Sequence, residues 1–407
     1  MSRIDELIAR LAPDGVPHLP MGAVGTLTRG RRFVKDDIVS AGTPCIHYGE
    51  IYTRYGLSAK EAFSFLPPDK AATLRTAQPG DVIIASAGET VEDIGKAVAW
   101  LGGDDVVIHD ACYAFHSELD PSFVSHFLRT SDFHTQARPA ISSSKISAIS
   151  LTGLGKVRIP VPPHEIQAEI VRILDGFQEL EAELEAELEA RRTQYTHYRR
   201  HILRPGAGWR ATTVGAVAEV FDGPHATPRK TDSGPWYLSI SSLKDGNVDL
   251  TASAHLSSDD YRTWTRRIAP TAGDTLFSYE TRIGQAAYWN TSEPAALGRR
   301  MGLLRPKGTA VVPRFLTIAY LSPQFQAHIS EKTVRGSTVD RISIADLPNW
   351  PISLPDVPEQ HRIIDLLESF DALVNDLSSG LPAEIAARRQ QYEHYRDRLL
   401  AFEALRS

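Results

Sequence analysis

The fold of this chain is decided by a nine-residue stretch that occurs twice. Residues 191–199 read RRTQYTHYR, and residues 388–396 read RRQQYEHYR. Other matched blocks precede both copies in the same order, 189 to 193 residues apart: GAV at 22–24 and 215–217, GD at 80–81 and 273–274, and IGKAVAW at 94–100 with IGQAAYW at 283–289. Chance does not keep so many blocks collinear, so the chain contains an internal duplication.

Each half divides into a globular segment followed by a helical segment. The globular segments are rich in glycine, proline, serine and threonine, which favour turns. Between these turns lie short runs of β-forming residues, such as residues 81–85, 105–108 and 236–240. The globular segments are therefore predicted to be mixed α/β or mainly β domains.

The helical segments carry apolar residues spaced by three and four positions, which is typical of a coiled-coil seam. The first series is Ile166, Ile170, Ile173, Phe177, Leu180 and Leu184, then Tyr195, Tyr198 and Ile202; the second is Ile363, Leu366, Phe370, Leu373 and Leu377, then Tyr392, Tyr395, Leu399 and Phe402. Because each seam must be buried, the two helices are expected to pack against each other as an antiparallel pair. The second helix is expected to break near residues 378–382, which read SSGLP.

These patterns predict an α+β fold. Two mixed α/β domains are separated by two long antiparallel coiled-coil helices, and a pseudo-twofold internal repeat relates the halves. The expected boundaries are 1–158 for the first domain, 159–204 for the central helix, 205–353 for the second domain and 354–407 for the C-terminal helical segment.

Composition excludes several classes of protein. The chain has 407 residues, a formal net charge of -6 and 42% hydrophobic residues, the balance of an ordinary globular protein. No run approaches the roughly 20 apolar residues of a membrane span. Two cysteines, Cys45 and Cys112, cannot build a disulfide framework, and residues 1–6 lack the apolar core of a signal peptide. We expect a cytoplasmic protein.

The sequence lacks the usual catalytic constellations. It contains no phosphate-binding loop, dinucleotide fingerprint, zinc-protease motif, nucleophile elbow or Asn/Asp-Pro-Pro-aromatic tetrapeptide. His109 and Cys112 could form a nucleophile pair, but they follow an apolar strand and have no visible third partner. The histidines lack the spacing of metal ligands. We therefore expect no catalytic residue and no metal site.

Charge is distributed unevenly. The helical segments are acidic, with 6 basic against 9 acidic residues over 159–204 and 6 against 10 over 354–407. In the globular segments, basic and aromatic residues cluster with polar ones, which suits contacts to phosphates and base edges. The candidates are Arg29, Arg31, Arg32, Lys35, Tyr52, Arg54 and Tyr55 in the first half, and His225, Thr227, Arg229, Lys230, Tyr279, Arg282, Arg335 and Arg341 in the second. The alternative is that they are solvated loop charges.

Several segments resemble the specificity subunit of type I restriction-modification systems, and the resemblance covers essentially the whole chain. They are IPVPP at 159–163 and ISLP at 352–355, each leading into a glutamine-containing helix, GSTVDRIS at 336–343, DGPHATP at 222–228 and IHYGEIY at 46–52. The first half departs from the pattern, because residues 142–147 read SSSKIS. We add the corresponding loop residues Ser144, Lys145, Ser337 and Thr338 to the candidate DNA contacts.

The resemblance implies a non-catalytic reader of double-stranded DNA. Each globular domain would read one half of a bipartite, asymmetric site. The helices would set the spacer and dock two methyltransferase subunits, and two restriction/translocase subunits would complete the enzyme. S-adenosylmethionine, ATP and magnesium would then bind to those partners, and this chain would hold no cofactor.

Three tandem copies of Glu-Leu-Glu-Ala occupy residues 179–190. Each copy adds about 6 Å of helix and a net turn of about 40°, close to the turn of about 36° per base pair of B-DNA. In the family that this chain resembles, such copies set the length of the unread spacer. The simpler interpretation is that the repeat is only a strong helix former.

A helix that follows DNA should be basic, so the acidic helices are expected to bind protein. The candidate contacts for methyltransferase subunits are Arg191, Arg192, Tyr195, Tyr198, Arg388, Arg389, Tyr392 and Tyr395. The alternative is that these residues only complete the packing of the helix pair. We also expect the isolated chain to bind DNA weakly, and specificity to appear when methyltransferase subunits join.

Two other functions stay open at this point. One is a self-contained DNA-modifying enzyme, which would need a cofactor pocket. The other is a duplicated protein-interaction scaffold, which would lack neighbouring genes for a methyltransferase and a helicase-nuclease. The sequence does not give the DNA target, the base contacts, the spacer length, or whether the system cuts or only methylates.

Overall fold

The computed structural model describes residues 3–142, 147–336, 339–375 and 380–405. They fall into two compact units. Unit 1 comprises Met1–Ala186 with Glu384–Ser407, and unit 2 comprises Glu187–Ala383.

Residues 3–202 supply most of unit 1 and the first long helix. Their elements are α1 (Arg3–Leu11), β1 (His18–Pro20), α2 (Met21–Val24), β2 (Gly25–Arg29), β3 (Thr43–Ile46), α3 (Tyr48–Thr53), β4 (Ser58–Ala59), β5 (Ser64–Leu66), α4 (Pro68–Ala71), β6 (Thr76–Ala77), β7 (Val82–Ala85), β8 (Ala87–Gly88), β9 (Ala97–Trp100), β10 (Val106–Ile108), β11 (Cys112–Ser117), α5 (Pro121–Phe127), α6 (Ser131–Ala137), β12 (Ile141–Ser142), β13 (Ser147–Ile149), α7 (Leu151–Lys156), β14 (Arg158–Pro160) and α8 (His164–Ile202).

The rest of the chain supplies unit 2 and the second helical segment. The elements are β15 (Arg210–Thr213), α9 (Val214–Val217), β16 (Ala218–Asp222), β17 (Thr231–Leu238), β18 (Leu243–Lys244), β19 (Gly246–Val248), β20 (Ala254–His255), α10 (Ser258–Trp264), β21 (Thr275–Ser278), β22 (Ala286–Tyr288), β23 (Ala295–Leu297), β24 (Met301–Pro306), α11 (Pro313–Tyr320), α12 (Pro323–Lys332), β25 (Pro351–Leu354), α13 (Val357–Asn375) and α14 (Leu381–Leu399).

The central sheet of unit 1 has the strand order β2-β11-β7-β9-β4. Its inner strand β7 is buried along its whole length, as expected for the continuous apolar run VIIA. Separate sheets have the orders β5-β3-β10-β6 and β12-β13-β8. The main core lies between the central sheet, α5 and the start of α8, around Phe115, Phe123 and Ile170.

Unit 2 repeats this plan with a sheet of order β16-β24-β21-β22-β19-β18 and a second sheet of order β20-β17-β23. The equivalence extends to single hydrogen bonds. In unit 1 the Gly80 nitrogen donates to the Trp100 carbonyl at 2.8 Å, and in unit 2 Gly273 donates to Trp289 at 2.7 Å. Both glycines have positive φ, 91° and 103°. The duplicated α+β fold predicted from the sequence is confirmed.

A buried glutamine fastens each helical segment to its domain. The Gln167 side chain accepts from the Asp120 nitrogen at 2.8 Å and donates to the Pro162 carbonyl at 2.7 Å. In unit 2, Gln360 likewise accepts a backbone N–H at 2.7 Å and donates to the Pro355 carbonyl at 2.9 Å. The repeated Pro and Gln positions of the sequence are therefore a structural joint.

Within unit 1, α14 runs antiparallel to the first part of α8. The Phe177 ring stacks on Tyr395 at 5.4 Å, and one helical turn later Arg389 pairs with Glu181 and Glu185. Ile166 and Ile170 of the predicted seam are fully buried, as is Leu174, whereas the predicted seam residue Ile173 is only half-buried.

Within unit 2, the end of α8 packs on α13, where the Tyr198 and Phe370 rings stack at 5.6 Å. The seam continues from Phe370 to the buried Val374, four residues on, whereas Leu373 is 40% exposed. The assignment of Leu373 to the seam is therefore wrong by one residue. Leu377 lies outside the described residues.

The second helical segment is interrupted as predicted, because α13 ends at Asn375 and α14 begins at Leu381. Pro382 stands in the first turn of α14, where a missing backbone N–H costs nothing. Ser378 and Ser379 lie outside the described residues. None of the described helices combines the length and the apolarity that crossing a membrane requires.

Unit 1 is closed by residues far apart in the sequence. The Val16 nitrogen donates to the Glu403 carbonyl at 2.9 Å, and the Leu405 nitrogen donates back to the Val16 carbonyl at 3.0 Å. Arg10 on α1 pairs with Glu165 at the start of α8 at 2.9 Å.

Candidate nucleic-acid interface

A glycine turn begins the same surface in each unit. The Gly30 nitrogen donates to the Cys112 carbonyl at 3.0 Å, and the Gly223 nitrogen donates to the Met301 carbonyl at 3.0 Å. A Cβ on Gly30 would lie 2.2 Å from the His109 carbonyl oxygen, and one on Gly223 would lie 2.3 Å from that of Met301. Only glycine allows the first strand of each central sheet to turn outward here.

Two further backbone segments join each turn. In unit 1 the Ser86 nitrogen donates to Ala111 at 2.9 Å, and its carbonyl accepts from Ile149 at 3.0 Å. In unit 2, Tyr279 takes the position of Ser86 and makes the same two bonds, at 3.3 and 3.0 Å. We call residues 29–32, 86–88, 108–111 and 147–149 edge 1, and residues 222–225, 279–282, 298–301 and 341–342 edge 2.

The arginines of edge 1 are held by backbone carbonyls. Arg29 donates to the Asp110 carbonyl at 2.8 Å, and Arg31 donates to that of Thr73 at 2.8 Å. Arg75 donates to the Arg29 carbonyl at 2.7 Å. Because none of these bonds neutralises a guanidinium, edge 1 keeps positive charges in ordered positions.

A cluster of aromatic rings lies beside these arginines. The His47 and His109 rings are 4.5 Å apart, and Tyr48 lies 5.1 Å from His109. The buried Phe33 meets His109 edge-on at 5.2 Å. Burial lowers the pKa of His47 to about 4, with a further contribution from the charge of His109. Burial also lowers the pKa of His109.

Three candidates on and after α3 differ in their surroundings. The Tyr52 hydroxyl donates to the Ala87 carbonyl at 2.5 Å, which ties α3 to edge 1. Arg54 is exposed over the Phe63 ring at 4.4 Å. Tyr55 is buried, and its hydroxyl accepts from the Phe63 nitrogen at 3.0 Å, so its side chain belongs to the core.

Edge 2 has the same frame and a different chemistry. His225 Nε2 lies 2.9 Å from an Asp222 carboxylate oxygen. Arg300 Nε lies 2.8 Å from Glu280, and Arg300 Nη1 donates to the Thr281 hydroxyl at 3.2 Å. Thr281 and Arg300 both have positive φ, 67° and 70°. A β-branched residue pays a steric cost there, and such strain concentrates at functional sites.

Tyr279 is buried beneath edge 2, where burial and the neighbouring Asp222 carboxylate raise the pKa of its hydroxyl. The exposed Arg341 forms β-bridges with Glu280 and Val334, which anchors its loop. Tyr279 is thus a support for edge 2, and Arg341 is a surface residue of it.

The remaining candidates for DNA contact are exposed side chains around the two edges. They are Arg32 and Lys35 in unit 1 and Thr227, Arg229, Lys230, Arg282 and Arg335 in unit 2. Ser144, Lys145, Ser337 and Thr338 lie outside the described residues. Contact of any of these residues with DNA stays a prediction.

The candidate partner contacts of α14 are mostly engaged within unit 1. Arg389 pairs with Glu181 and Glu185, Tyr395 stacks on Phe177, and Tyr392 is buried. Arg388 pairs with Glu384 at 3.4 Å in its own helix. These contacts favour a packing role for Arg389, Tyr392 and Tyr395.

The candidate partner contacts of α8 lie in unit 2 and are more accessible. Tyr195 and Tyr198 face Phe370, although Tyr198 remains 43% exposed. Arg191 pairs with Glu187 at 3.2 Å, and Arg192 is exposed. Binding of partners by these residues stays a prediction.

The two cysteines are unsuited to nucleophilic chemistry. Both are buried, and burial raises the pKa of the Cys45 thiol to about 12 and that of Cys112 further. The His109 Nδ1 atom accepts from the Ala111 nitrogen at 3.1 Å and does not face a thiol. In the described part of the chain, no group of three His, Cys, Asp or Glu residues is placed to hold a metal ion.

Sequence reasoning missed Arg300 of edge 2 and considered His109 only as a possible nucleophile partner of Cys112. The matched blocks contained a signal for Arg300, because the offset of 189 residues aligns it with Ala111 beside His109. Arg75 carried no such signal, because only the fold brings it to Arg29.

Comparison with known proteins supplies independent evidence. A sequence profile described as the type I restriction modification DNA specificity domain matches residues 21–190 and 239–387. The chain is 28% identical over 297 residues to a putative type I restriction enzyme specificity subunit of Haemophilus influenzae. The aligned residues cover 70% of this chain and 73% of that relative. It is 31% identical over 267 residues to the EcoR124I/EcoR124II specificity subunit of Escherichia coli, covering 61% of this chain and 63% of that subunit.

Solved structures share the fold. A chain from a study of complex assembly and conformational transition in the type I R-M system superposes with a TM-score of 0.64, at 19% identity, covering 96% of this chain and 98% of that one. The HsdS subunit from Thermoanaerobacter tengcongensis superposes with a TM-score of 0.54, at 18% identity, covering 97% and 99%.

Proposed function

We propose, because the chain belongs to the type I restriction-modification DNA specificity family, that edge 1 and edge 2 each read one half of a bipartite DNA site. Specificity subunits recognise DNA and carry no catalytic site of their own. The two halves of the site are unlike and are separated by base pairs that neither edge contacts.

The observation that carries this proposal is one backbone frame with two sets of side chains. Both edges use the same glycine turn and the same strand-end hydrogen bonds. Edge 1 presents the exposed arginines Arg29 and Arg31, held by backbone carbonyls, whereas edge 2 presents Arg300 held by Glu280 and Thr281. Arginine and histidine can both donate to base edges and phosphates, and an arginine suits guanine in particular. Different side chains on equal frames are what an asymmetric site requires.

The helical segments supply the spacer and the docking surface for two methyltransferase subunits. Support comes from their acidic charge and from the exposure of Arg192 and Tyr198. Two restriction/translocase subunits complete the complex, and S-adenosylmethionine, ATP and magnesium bind on those partners. The chain then works in the cytoplasm, where the chromosome lies.

Sequencing of modified adenines tests the proposal in a host that carries the chain and its methyltransferase. The expected result is a split motif of two unlike halves. Arg300→Ala should relax bases in one half only, and Arg31→Ala, at an exposed arginine of edge 1, bases in the other. Arg262→Ala, an exposed arginine of unit 2 outside edge 2, is the matched control and should leave the motif unchanged. A contiguous motif, or one variant that relaxes both halves equally, contradicts the proposal.

A further inference from the structure

Edge 2 continues into an open groove that the sequence did not indicate. Residues 222–226 form one wall, and residues 263–268, at and after the end of α10, form the other. The groove has a volume of about 470 Å³. This volume is several times that of a phosphate group, so the groove can admit a stretch of an extended polar chain.

Two arginines on the second wall are exposed and have no partner among the residues that the structure describes. Arg266 and Arg267 are exposed, and neither makes an ion pair or a hydrogen bond with any residue in the described part of the chain. Arg262, one turn earlier on α10, faces the Asp259 carboxylate at 3.7 Å. Of Arg262, Arg266 and Arg267, the two that line the groove are therefore the ones without a carboxylate partner in the described part of the chain.

Other side chains that line the groove carry polar atoms. The Trp264 indole nitrogen is buried and has no hydrogen-bond partner among the described residues. On the opposite wall, the His225 side chain is 72% exposed and its Nε2 atom lies 2.9 Å from a carboxylate oxygen of Asp222, the one acidic residue that lines the groove. The turn that carries His225 is fixed by the Gly223 bond to Met301. The walls therefore present more positive than negative charge from fixed backbone positions.

We propose that this groove binds the backbone of one DNA strand, with Arg266 and Arg267 as phosphate contacts. The inference rests on the proposed reading of DNA by edge 2 and adds where the strand leaves that edge. Residues 205–353 carry 16 basic against 13 acidic residues, so the DNA-facing charge is concentrated in this domain and not in the helices. Phosphate contacts position a reader without adding sequence preference.

The position of the two arginines also has a purely structural explanation. Cations at the C-terminus of a helix stabilise its dipole by a small amount. That explanation predicts a change in thermal stability and none in DNA binding. The two explanations therefore separate experimentally.

The test uses the full chain assembled with its methyltransferase subunits. Affinity is measured by fluorescence anisotropy between about 50 and 200 mM salt, on a duplex with the methylated motif and on a scrambled duplex. The double variant Arg266→Ala/Arg267→Ala should bind both duplexes more weakly, by on the order of tenfold, and the salt slope should fall by about 1 for each lost contact. Arg262→Ala should leave affinity and slope unchanged.

The outcomes distinguish failure of the proposed function from failure of the groove proposal alone. A wild-type complex that does not prefer its motif contradicts the proposed function itself. If the wild-type complex prefers its motif but the double variant keeps the wild-type salt slope, the groove proposal alone is contradicted. It is also contradicted if Arg262→Ala weakens binding as much as the double variant does. If the double variant melts early, Arg266→Lys/Arg267→Lys keeps both charges, and it should retain the wild-type slope.

Discussion

At the scale of single residues, buried polar groups decide what the surface residues can do. His126 is fully buried in unit 1, with Nδ1 2.9 Å from the Tyr392 hydroxyl and Nε2 2.9 Å from Asp175. Both ring nitrogens of His126 are therefore engaged by side chains of other helices. Tyr392, a candidate partner contact from the sequence, thereby joins α14 to α5 and α8.

Tyr392→Phe should lower the free energy of unfolding by about 1–3 kcal/mol, because it leaves a buried histidine nitrogen without a partner. Tyr395→Phe is the matched control, since its ring stacks on Phe177 and its hydroxyl has no hydrogen bond within the described residues. Thermal or urea denaturation measures both. Impaired methyltransferase binding by Tyr392→Phe at unchanged stability would restore the interpretation as a partner contact.

The buried His47, whose ring lies 4.5 Å from His109 of edge 1, makes stability depend on pH. The pKa of His47 falls from its ordinary value of 6.5 to about 4 in the folded chain, mainly through burial. Between these values the unfolded chain binds a proton here that the folded chain does not, so stability falls as pH drops from about 6.5 to about 4 and then levels off.

His47→Asn should reduce this loss of stability in urea denaturation between pH 4 and 7. Asparagine can still accept the Gly49 N–H that caps α3, so the helix start is preserved while the titrating group is removed. The exposed His361→Asn serves as the control. An unchanged pH dependence in His47→Asn would show that His47 already takes up its proton in the folded chain.

At the scale of elements, α8 carries a ladder of equivalent positions. Arg389 pairs with Glu181 and Glu185, which occupy the same position in successive Glu-Leu-Glu-Ala units. Removing one unit brings Glu189 to the place of Glu185. The pair of carboxylates that faces Arg389 is then restored, so the helix can change length without losing this contact.

Deletion of Glu183–Ala186 should therefore preserve the melting temperature approximately and shorten the unread spacer by about one base pair, because it turns the helix by a net 40° or so. Sequencing of modified adenines reads the spacer. Deletion of Glu183 and Leu184 alone is the control, since it rotates the seam by about 200° and should destabilise the helix pair. An unchanged spacer in the four-residue deletion contradicts the idea.

Elements with a strong period could be predicted from the sequence, and irregular ones could not. The seam residues Ile166 and Ile170 followed from apolar spacing, and the Gly and Pro within residues 378–382 predicted the interruption before Leu381. The two-residue strand Ala87–Gly88 has no period to detect, although it builds edge 1. Candidate site residues were found where charge clusters along the sequence, and Arg75 was missed because only the fold brings its side chain to the Arg29 carbonyl.

At the scale of the whole molecule, the net charge of the chain limits its own non-specific affinity for DNA. The chain carries a net charge of -6, and its helical segments hold most of the excess acid. Release of counterions from phosphates supplies most non-specific affinity for DNA, so an acidic chain has little of it. Basic surface from partner subunits would supply what this chain lacks.

The isolated chain should accordingly bind DNA weakly, and addition of methyltransferase subunits should produce sequence-specific binding. Gel-shift titration with a motif duplex and a scrambled duplex measures this, and the methyltransferase subunits alone are the control. Tight, specific binding by the isolated chain would show that edges 1 and 2 suffice without partners.

The hydrogen bonds between Val16 and residues 403–405 bear on how the protein is made. Unit 2 is one continuous stretch of sequence, so it can fold as soon as it leaves the ribosome. Unit 1 starts first and finishes last, because it needs α14 and the strand-like tail to cover its core. While the second half is being translated, the nascent first half therefore exposes apolar surface that α14 will later cover. A premature stop codon before residue 384 would leave this surface exposed permanently.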